Sequence, residues 1–372
     1  MKMYDKKIIK TNIANMIKNY DDYDKEEEKN ILEFIRTVLS KLNGQERISI
    51  SSEEIEKYLF TLDEKGYKKI NEEIWGFLCM IKADMEGVGF EGTKITGLYF
   101  DGLENVRIDL NKLYDKDLSF VSFLGVNLEG DLEGAKLMVT DFIGYKGSVK
   151  LNPQKLGYKS LENCTLTGLV VEGSFDGVNI IGTDFGDIKG EAYINPQTIY
   201  EKTFDDVNLN GVTLVGEYYP EKGMYGSANF DGCKINDTMF NGAKGYICIN
   251  LNTICQKNEL NSKLSGCDLT GVKVVGTANC YTGRRDIIDS DGTCQYFSNN
   301  ENLKNDLTGS YYYNGAGEQV LIYPYRSVVK RNGEWVAISR KEEDNLDINV
   351  VYINEKRKEK GGKKRVLNLF EK

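Results

Sequence analysis

The most regular pattern in the chain is an apolar residue at every fifth position, in runs that begin 43 residues apart. The first three runs are Ile108, Leu113, Leu118, Phe123 and Leu128; Leu151, Leu156, Leu161, Leu166 and Val171; and Ile194, Ile199, Phe204, Leu209 and Leu214. A fourth copy begins at Ile249, 55 residues after Ile194, and the 12 additional residues fit an insertion around residues 217–228. We expect this insertion to form a loop on stacked copies of one structural unit.

A period of five fits neither an α-helix, which repeats about every 3.6 residues, nor a flat strand, which repeats about every two. The chain must therefore turn a corner after each short side and form a square coil. Coils stacked about 4.8 Å apart would place the apolar residues in interior columns and pair backbone groups between coils. We expect about eight coils. Two segments, residues 151–154 and 194–197, contain Asn-Pro-Gln and interrupt the period.

Residues 228–242 contain three tandem segments in which an apolar residue lies at the centre. They read Ala228-Asn229-Phe230-Asp231-Gly232, Cys233-Lys234-Ile235-Asn236-Asp237 and Thr238-Met239-Phe240-Asn241-Gly242. These segments resemble the pentapeptide-repeat family, whose pattern is Ala, then Asp or Asn, then Leu or Phe, then two variable residues. The resemblance implies a right-handed quadrilateral β-helix, with the central residue and the small residue two positions before it inside.

Residues 1–86 carry a helical pattern instead. Apolar residues recur at helix spacing at Ile31, Phe34, Ile35, Val38, Leu39 and Leu42; at Ile55, Tyr58, Leu59 and Leu62; and at Ile70, Ile74, Phe77, Leu78, Ile81 and Met85. Ser51 and Glu54 have the spacing of a capping box, Asp24 is a candidate N-cap, and Gly44 is a stop signal. We expect a bundle of about four helices that caps one end of the coils.

The last part of the chain has the pattern of short strands. Asn332-Gly333 lies between residues 327–331 and 334–339, which is a strong signal for a two-residue hairpin. Residues 320–323, 348–353 and 366–370 are further candidate strands, and Gly361-Gly362 is a second candidate turn.

The chain is therefore predicted to be mainly β, a right-handed quadrilateral β-helix with helical and antiparallel β flanks. We expect an α-helical N-terminal domain at residues 1–86, the pentapeptide-repeat β-helix at 87–290, and a small antiparallel β domain with a basic hairpin at 291–372.

Composition removes many kinds of chemistry. The 372 residues include no histidine, which excludes the usual Ser-His-Asp and Cys-His catalytic sets and imidazole metal sites. The eight cysteines form no CxxC pair and no metal-ligand spacing. We therefore expect no catalytic residues, no cofactor and no metal, and a protein that is not an enzyme.

Three sequence motifs have weak functional interpretations. Residues 87–92 match the GxGxxG spelling, but a dinucleotide site needs a strand before it and a helix after it. Cys164, Cys233 and Cys267 each lie two positions before an apolar residue, where packing explains them better than reactivity does. Asp289 and Asp291 resemble part of a calcium loop, but turn chemistry accounts for them as well.

Basic residues are the candidates for contact with a partner. Lys116, Lys159, Lys202 and Lys257 lie eight residues after each repeat start, and Lys146, Lys189 and Lys244 precede a matching glycine. One interpretation is a row of contacts to an acidic partner, and the other is duplicated lysines exposed to solvent.

A second basic cluster, near the C-terminus, consists of Lys356, Arg357, Lys358, Lys360, Lys363, Lys364 and Arg365. It is either a solvated hairpin tip or a contact to nucleic acid or acidic lipid.

Net charge argues against direct binding of nucleic acid by the whole chain, because the total is −9 and residues 87–290 contribute −8. No apolar segment is long enough to insert into a membrane, and we expect a cytoplasmic location, although a leaderless secreted effector fits as well.

Three function classes remain. The leading one is a non-enzymatic scaffold for a protein partner of unknown identity. The second, implied by the resemblance, is a DNA mimic that modulates a type II topoisomerase such as DNA gyrase. The third is an effector or toxin with its activity in the C-terminal part, where seven residues are candidates for lining a pocket: Tyr311, Tyr312, Tyr313, Tyr323, Tyr325, Arg326 and Trp335.

Overall fold

The structure is a computed structural model that describes residues 2–18, 25–62, 66–250, 253–255, 264, 266–275, 310–313, 317–321, 328–331 and 333–337. The chain divides into two compact units. The first unit comprises Met1–Tyr158 and Cys164–Val170, and the second comprises Lys159–Asn163 and Val171–Lys372. The helices belong to the same unit as the first repeats, and the predicted division into three domains stays a prediction.

The first unit begins with helices and short strands. The helices are α1 (Lys6–Lys18), α2 (Lys25–Lys41), α3 (Ser52–Leu59) and α4 (Glu72–Met80). Strand β1 (Tyr4–Asp5) pairs antiparallel with β2 (Arg47–Ile48), and β3 (Phe60–Leu62) pairs antiparallel with β4 (Lys68–Ile70). None of the helices among the described residues is long and apolar enough to cross a bilayer.

Local capping explains where two of the helices begin. The Ser51 side chain accepts a hydrogen bond from the Glu54 amide, and the Glu54 carboxylate accepts one from the Ser51 amide, so the predicted capping box is confirmed. Asn71 caps α4 in the same way, accepting from the Ile74 amide at 3.0 Å. Asp24 lies outside the described residues.

The helical prediction was wrong at three apolar positions. Leu62 and Ile70 were assigned to helix stripes but lie in strands β3 and β4, and Met85 lies beyond the end of α4 at Met80. Helix α3 ends at Leu59 and α4 begins after Asn71, and Phe60–Leu62 pairs antiparallel with Lys68–Ile70 between them. Ile70 remains buried, whereas Leu62 is exposed.

A β-solenoid of about seven turns occupies residues 107–248. Its strands are β5 (Arg107–Asp109), β6 (Asn127–Glu129), β7 (Lys146–Gly147), β8 (Lys150–Leu151), β9 (Val170–Ser174), β10 (Lys189–Ile194), β11 (Thr213–Leu214), β14 (Ala228–Asn229) and β15 (Ile247–Asn250), with β16 (Lys273–Val275) following. Pairing between successive turns is parallel, as between β5 and β6 or β10 and β11. Two further strands, β12 (Tyr218–Tyr219) and β13 (Met224–Tyr225), form a hairpin inserted between turns.

The 43-residue period corresponds to two turns of unequal length. Within the first unit, Ser122 pairs with Asp141 one turn later, and Asp141 pairs with Thr165 after a longer turn. The longer turn includes the Asn-Pro-Gln segment, where Pro153–Lys155 forms a 3-10 helix and Asn152 accepts from the Gln154 amide. The same Asn-to-Gln hydrogen bond recurs at Asn195 and Gln197. The interruptions of the period are thus regular parts of the longer turn.

The predicted interior columns are confirmed. The central residues of the runs are almost all buried, with Leu113 only half-buried, and Cys164, Cys233 and Cys267 also lie inside. In the first unit Phe100, Phe123 and Phe142 stack with ring centroids 6.1 and 5.1 Å apart. Trp75 of α4 packs edge-on against Phe100 at 5.1 Å, so a helix residue continues this aromatic column.

An antiparallel sheet follows in the second unit. It contains β17 (Tyr311–Tyr313), β18 (Gln319–Leu321), β19 (Val328–Arg331) and β20 (Glu334–Ala337) in sequential order. The hairpin predicted at Asn332-Gly333 is confirmed, because Arg331 pairs with Glu334. Tyr311 also forms a parallel bridge with Asp268, which attaches this sheet to the repeat. Candidate strands at residues 348–353 and 366–370 lie outside the described residues.

Candidate interaction surface

The described residues contain no metal-binding group of three or more acidic or cysteine side chains. The buried thiols are poor nucleophiles, since burial raises the pKa values of Cys233 and Cys267 to about 12. The calcium-like residues Asp289 and Asp291 lie outside the described part of the chain. Nothing in the described residues thus favours a catalytic site.

The GxGxxG segment lines a cleft of about 520 Å³ in the first unit, but the amides of Gly89 and Gly92 are already used. Gly89 donates its N–H to the Glu56 carboxylate at 2.6 Å, and Gly92 donates to the Lys112 carbonyl at 2.8 Å. A phosphate loop needs such amides to point at the ligand. The segment therefore lacks the strand before it and the helix after it that a nucleotide site needs, and its Gly89 and Gly92 amides are not available to a phosphate.

Two of the predicted contact lysines make hydrogen bonds within the protein. Lys116 donates to the Asn111 side chain at 2.7 Å and to the Asp131 carboxylate at 3.0 Å, which lowers the pKa of Asp131. Lys202 donates to the Gln197 side chain at 2.6 Å. Asn111 and Gln197 occupy the same repeat position, five residues before the lysine. This shared bond gives Lys116 and Lys202 a structural role within the turns that contain them.

The remaining predicted lysines are exposed or not described. Lys159, in the second unit, is exposed, as are Lys146, Lys189 and Lys244. Lys257 and the basic residues Lys356, Arg357, Lys358, Lys360, Lys363, Lys364 and Arg365 lie outside the described residues. Their role in partner contact stays a prediction.

Ion pairs connect several lysines of the first unit to acidic residues in the solenoid. The pairs are Lys94–Asp115, Lys112–Asp109, Lys116–Asp131, Lys136–Asp117 and Lys155–Glu133. A DNA mimic needs rows of carboxylates that stand in for phosphates. Here each of these five carboxylates has a lysine partner, and one of the lysines, Lys116, belongs to the repeated set.

The insertion at residues 217–228 forms a tyrosine-rich hairpin. Tyr218 pairs with Tyr225, and Tyr219 pairs with Met224. Two hydrogen bonds join the two arms at the base of the hairpin, from the Gly216 amide to the Gly226 carbonyl and from the Gly226 amide to the Glu217 carbonyl. The loop predicted at this insertion is therefore an ordered hairpin.

Aromatic contacts fix the hairpin to the solenoid strand β10. The Tyr225 ring lies 5.5 Å from the Tyr193 ring, nearly parallel to it, and 4.9 Å from the Tyr218 ring. Tyr218 is 49% exposed and Met224 is 55% exposed despite these contacts. Tyrosine and methionine are enriched in protein interfaces, and a fixed aromatic group loses little entropy on binding.

We call Tyr193, Tyr218, Tyr219, Met224 and Tyr225 the tyrosine patch. The sequence analysis missed it, although three tyrosines in a 12-residue insertion were a visible signal. What the sequence did not show is the contact between Tyr225 and Tyr193, which belong to different strands far apart along the chain.

The candidate pocket of the C-terminal sheet is not assembled by the described residues. Tyr312 is buried and Tyr313 is exposed on the opposite side of β17. Tyr323, Tyr325 and Arg326 lie outside the described residues, and Trp335 is described only by its place in β20, opposite Lys330.

Comparison of the chain with protein families, with curated proteins and with solved structures finds no match in any of the three.

Proposed function

We propose that the protein is a non-enzymatic scaffold that binds a protein partner through the tyrosine patch. The observation that carries this proposal is an ordered, exposed aromatic hairpin inserted between stacked turns of the repeat. Insertions of this kind usually lie on the binding face of a repeat protein. Exposed tyrosines held in one geometry supply contact area at low entropic cost.

We also infer the finer fold that the resemblance implies, a right-handed quadrilateral β-helix of the pentapeptide-repeat type. Parallel pairing between successive turns and burial of the central and small residues support it. A cytoplasmic location belongs to the same proposal, supported by the free thiols Cys79, Cys233, Cys248 and Cys255.

The two alternatives have less support. Topoisomerase modulation by DNA mimicry is weakened by the lysine ion pairs of the first unit. An effector activity in the C-terminal part has no assembled site among the described residues. Neither is favoured by a specific observation.

The test is affinity capture with the full chain as bait, compared with the Tyr218→Ala/Tyr219→Ala variant. We expect one protein to be retained by the unchanged chain and lost with the variant. The control is Tyr158→Ala, because Tyr158 is 59% exposed in the first unit. Retention that does not depend on the hairpin would overturn the proposal, and a retained type II topoisomerase would then favour the DNA mimic.

A further inference from the structure

The hairpin lies on the more acidic part of the solenoid. Residues 171–250 contain 12 acidic and five basic residues, whereas residues 87–158 contain 10 acidic and eight basic ones. The Lys234–Glu201 ion pair within the 171–250 segment is loose, with its charged atoms 4.0 Å apart. An excess of carboxylates makes this part of the second unit complementary to a basic partner.

Acidic residues are also close neighbours of the tyrosine patch along the chain. Tyr193 donates its hydroxyl hydrogen to Glu191 at 2.6 Å, and this bond raises the pKa of Tyr193. Glu217 begins the hairpin and Glu221 lies in its turn, and both are exposed. Aromatic faces beside carboxylates are the groups that recognise a guanidinium or an ammonium ion.

One internal contact shows that a ring of the patch accepts a cation. The ammonium group of Lys222 lies 5.2 Å from the centroid of the Tyr219 ring. Lys222 is in the hairpin turn, where its amide donates to the Tyr219 carbonyl at 3.0 Å. Tyr219 is still 39% exposed with this contact in place, and Tyr218 and Met224 on the same hairpin are exposed as well.

We propose that the tyrosine patch binds a basic, arginine- or lysine-containing segment of a partner protein. This inference rests on the proposed scaffold function and names the chemistry of its partner. The rings contact the cationic side chains, and Glu191, Glu217 and Glu221 neutralise their charge. Electrostatic attraction of the whole 171–250 segment speeds the encounter.

The probe is a short fluorescein-labelled peptide of alternating arginine and glycine, titrated with the full chain and followed by fluorescence anisotropy. We expect saturable binding that weakens with salt, and no binding of the matched glutamate peptide. The Tyr218→Ala/Tyr219→Ala variant should lose about tenfold in affinity, because two cation–π contacts are removed. It leaves the Tyr225–Tyr193 contact in place, which keeps the hairpin attached.

Three further variants separate aromatic recognition from general attraction. Tyr218→Phe/Tyr219→Phe keeps the ring faces and should bind within about twofold of the unchanged chain. Glu217→Gln/Glu221→Gln should weaken binding and reduce its salt dependence. Tyr158→Ala should change nothing. If the peptide bound Tyr218→Ala/Tyr219→Ala as tightly as it bound Tyr158→Ala, net charge alone would explain the binding. That result would overturn the proposal.

The chain's own basic cluster is the competing occupant. Replacing Lys363, Lys364 and Arg365 by glutamine should leave the peptide affinity unchanged. A large increase would assign the patch to this segment and overturn binding of a partner. If partner capture depends on the hairpin but the peptide does not bind, the scaffold function is supported and the proposal of a basic partner segment is overturned. If the peptide binds but no capture depends on the hairpin, the scaffold function fails.

Discussion

At the scale of single residues, one corner position of the solenoid requires a left-handed backbone. Phe120, Asn163 and Asp206 lie 43 residues apart and have φ values of 61°, 54° and 59°. Val139, with φ 53°, occupies the matching corner of the next turn, where the later copy has Gly182. Asn, Asp and Gly tolerate this conformation, whereas a β-branched residue is strained in it.

Val139→Asn should therefore stabilise the protein by about 1 kcal/mol, since it relieves strain at a side chain that is already 41% exposed. The measurement is urea unfolding followed by circular dichroism. Val336→Asn is the control, because Val336 is equally exposed, at 41%, but lies in the extended strand β20. A lower midpoint for the Val139 variant would show that the valine contributes more by packing than it costs in backbone strain.

At the scale of turns and strands, side-chain hydrogen bonds at the corners and glycines between turns allow the chain to turn and stack. Asp or Asn before a central residue accepts the amide two positions later, as at Asp141 to Ile143 (2.8 Å) and Asp184 to Gly186 (2.7 Å). This hydrogen bond explains why Asp or Asn is preferred at the position before the central residue. Glycine is needed where the backbones of two turns approach closely. Gly147, Gly190 and Gly245 occupy matching positions, each against a carbonyl of the preceding turn.

Gly190→Ala should destabilise the second unit by about 3 kcal/mol, because its new Cβ would lie 2.5 Å from the Val171 carbonyl oxygen and one backbone would have to move. The matched control is Gly177→Ala, which also has positive φ but nothing within 4 Å. That change should cost only about 1 kcal/mol of backbone strain. Urea unfolding compares the two, and equal losses would mean that turn spacing adjusts freely.

At the scale of the whole molecule, each compact unit has its own way of extending the solenoid core. In the first unit Trp75 continues the aromatic column into a helix. In the second unit strand β17 joins the last described turn, where the Tyr311 amide donates to the Cys267 carbonyl at 2.9 Å and the Leu269 amide donates to the Tyr311 carbonyl at 2.7 Å. The backbone pairing of β17 covers an edge that a solenoid would otherwise expose.

The junction at β17 contains a buried carboxyl group and should make stability depend on pH. Burial raises the pKa of Asp268 above its ordinary value of 3.8, and burial together with Asp268 raises the pKa of Tyr311 to about 12. The folded state therefore holds the Asp268 proton more tightly than the unfolded state. The contribution of this group is most favourable below the unfolded pKa and is lost as pH rises through the folded pKa.

Asp268→Asn should raise the urea midpoint at pH 7 and change it little at pH 4, because the amide oxygen can still accept from the Thr270 amide. The difference between the variant and the unchanged chain should grow with pH between these values. Asp184→Asn is the control for the substitution itself, because Asp184 occupies the same position before a central residue but is only half-buried. A pH-independent difference would exclude titration of Asp268 as its cause.

The sequence by itself determined the repeat. The five-residue period, its copies 43 residues apart and the insertion are local regularities, and burial in stacked turns is the arrangement that satisfies them. The capping box at Ser51 and Glu54 and the hairpin at Asn332-Gly333 were also readable, because both depend on neighbouring residues. Leu62 and Ile70 were misassigned because competing hairpin and helix signals meet between Leu59 and Asn71.

Only the tertiary structure determined which side chains form the tyrosine patch and which lysines bond within the protein. The stacking of Tyr225 on Tyr193 and the hydrogen bonds from Lys116 and Lys202 to side chains of their own turns depend on how the chain folds back on itself. A linear pattern shows which residues recur. It does not show which of the recurring side chains bond to other groups of the protein and which remain exposed. The contact between Tyr225 and Tyr193 joins residues far apart in sequence and is set by the stacking of turns, whereas the lysine bonds join residues five positions apart and are set by how the chain turns a corner between them.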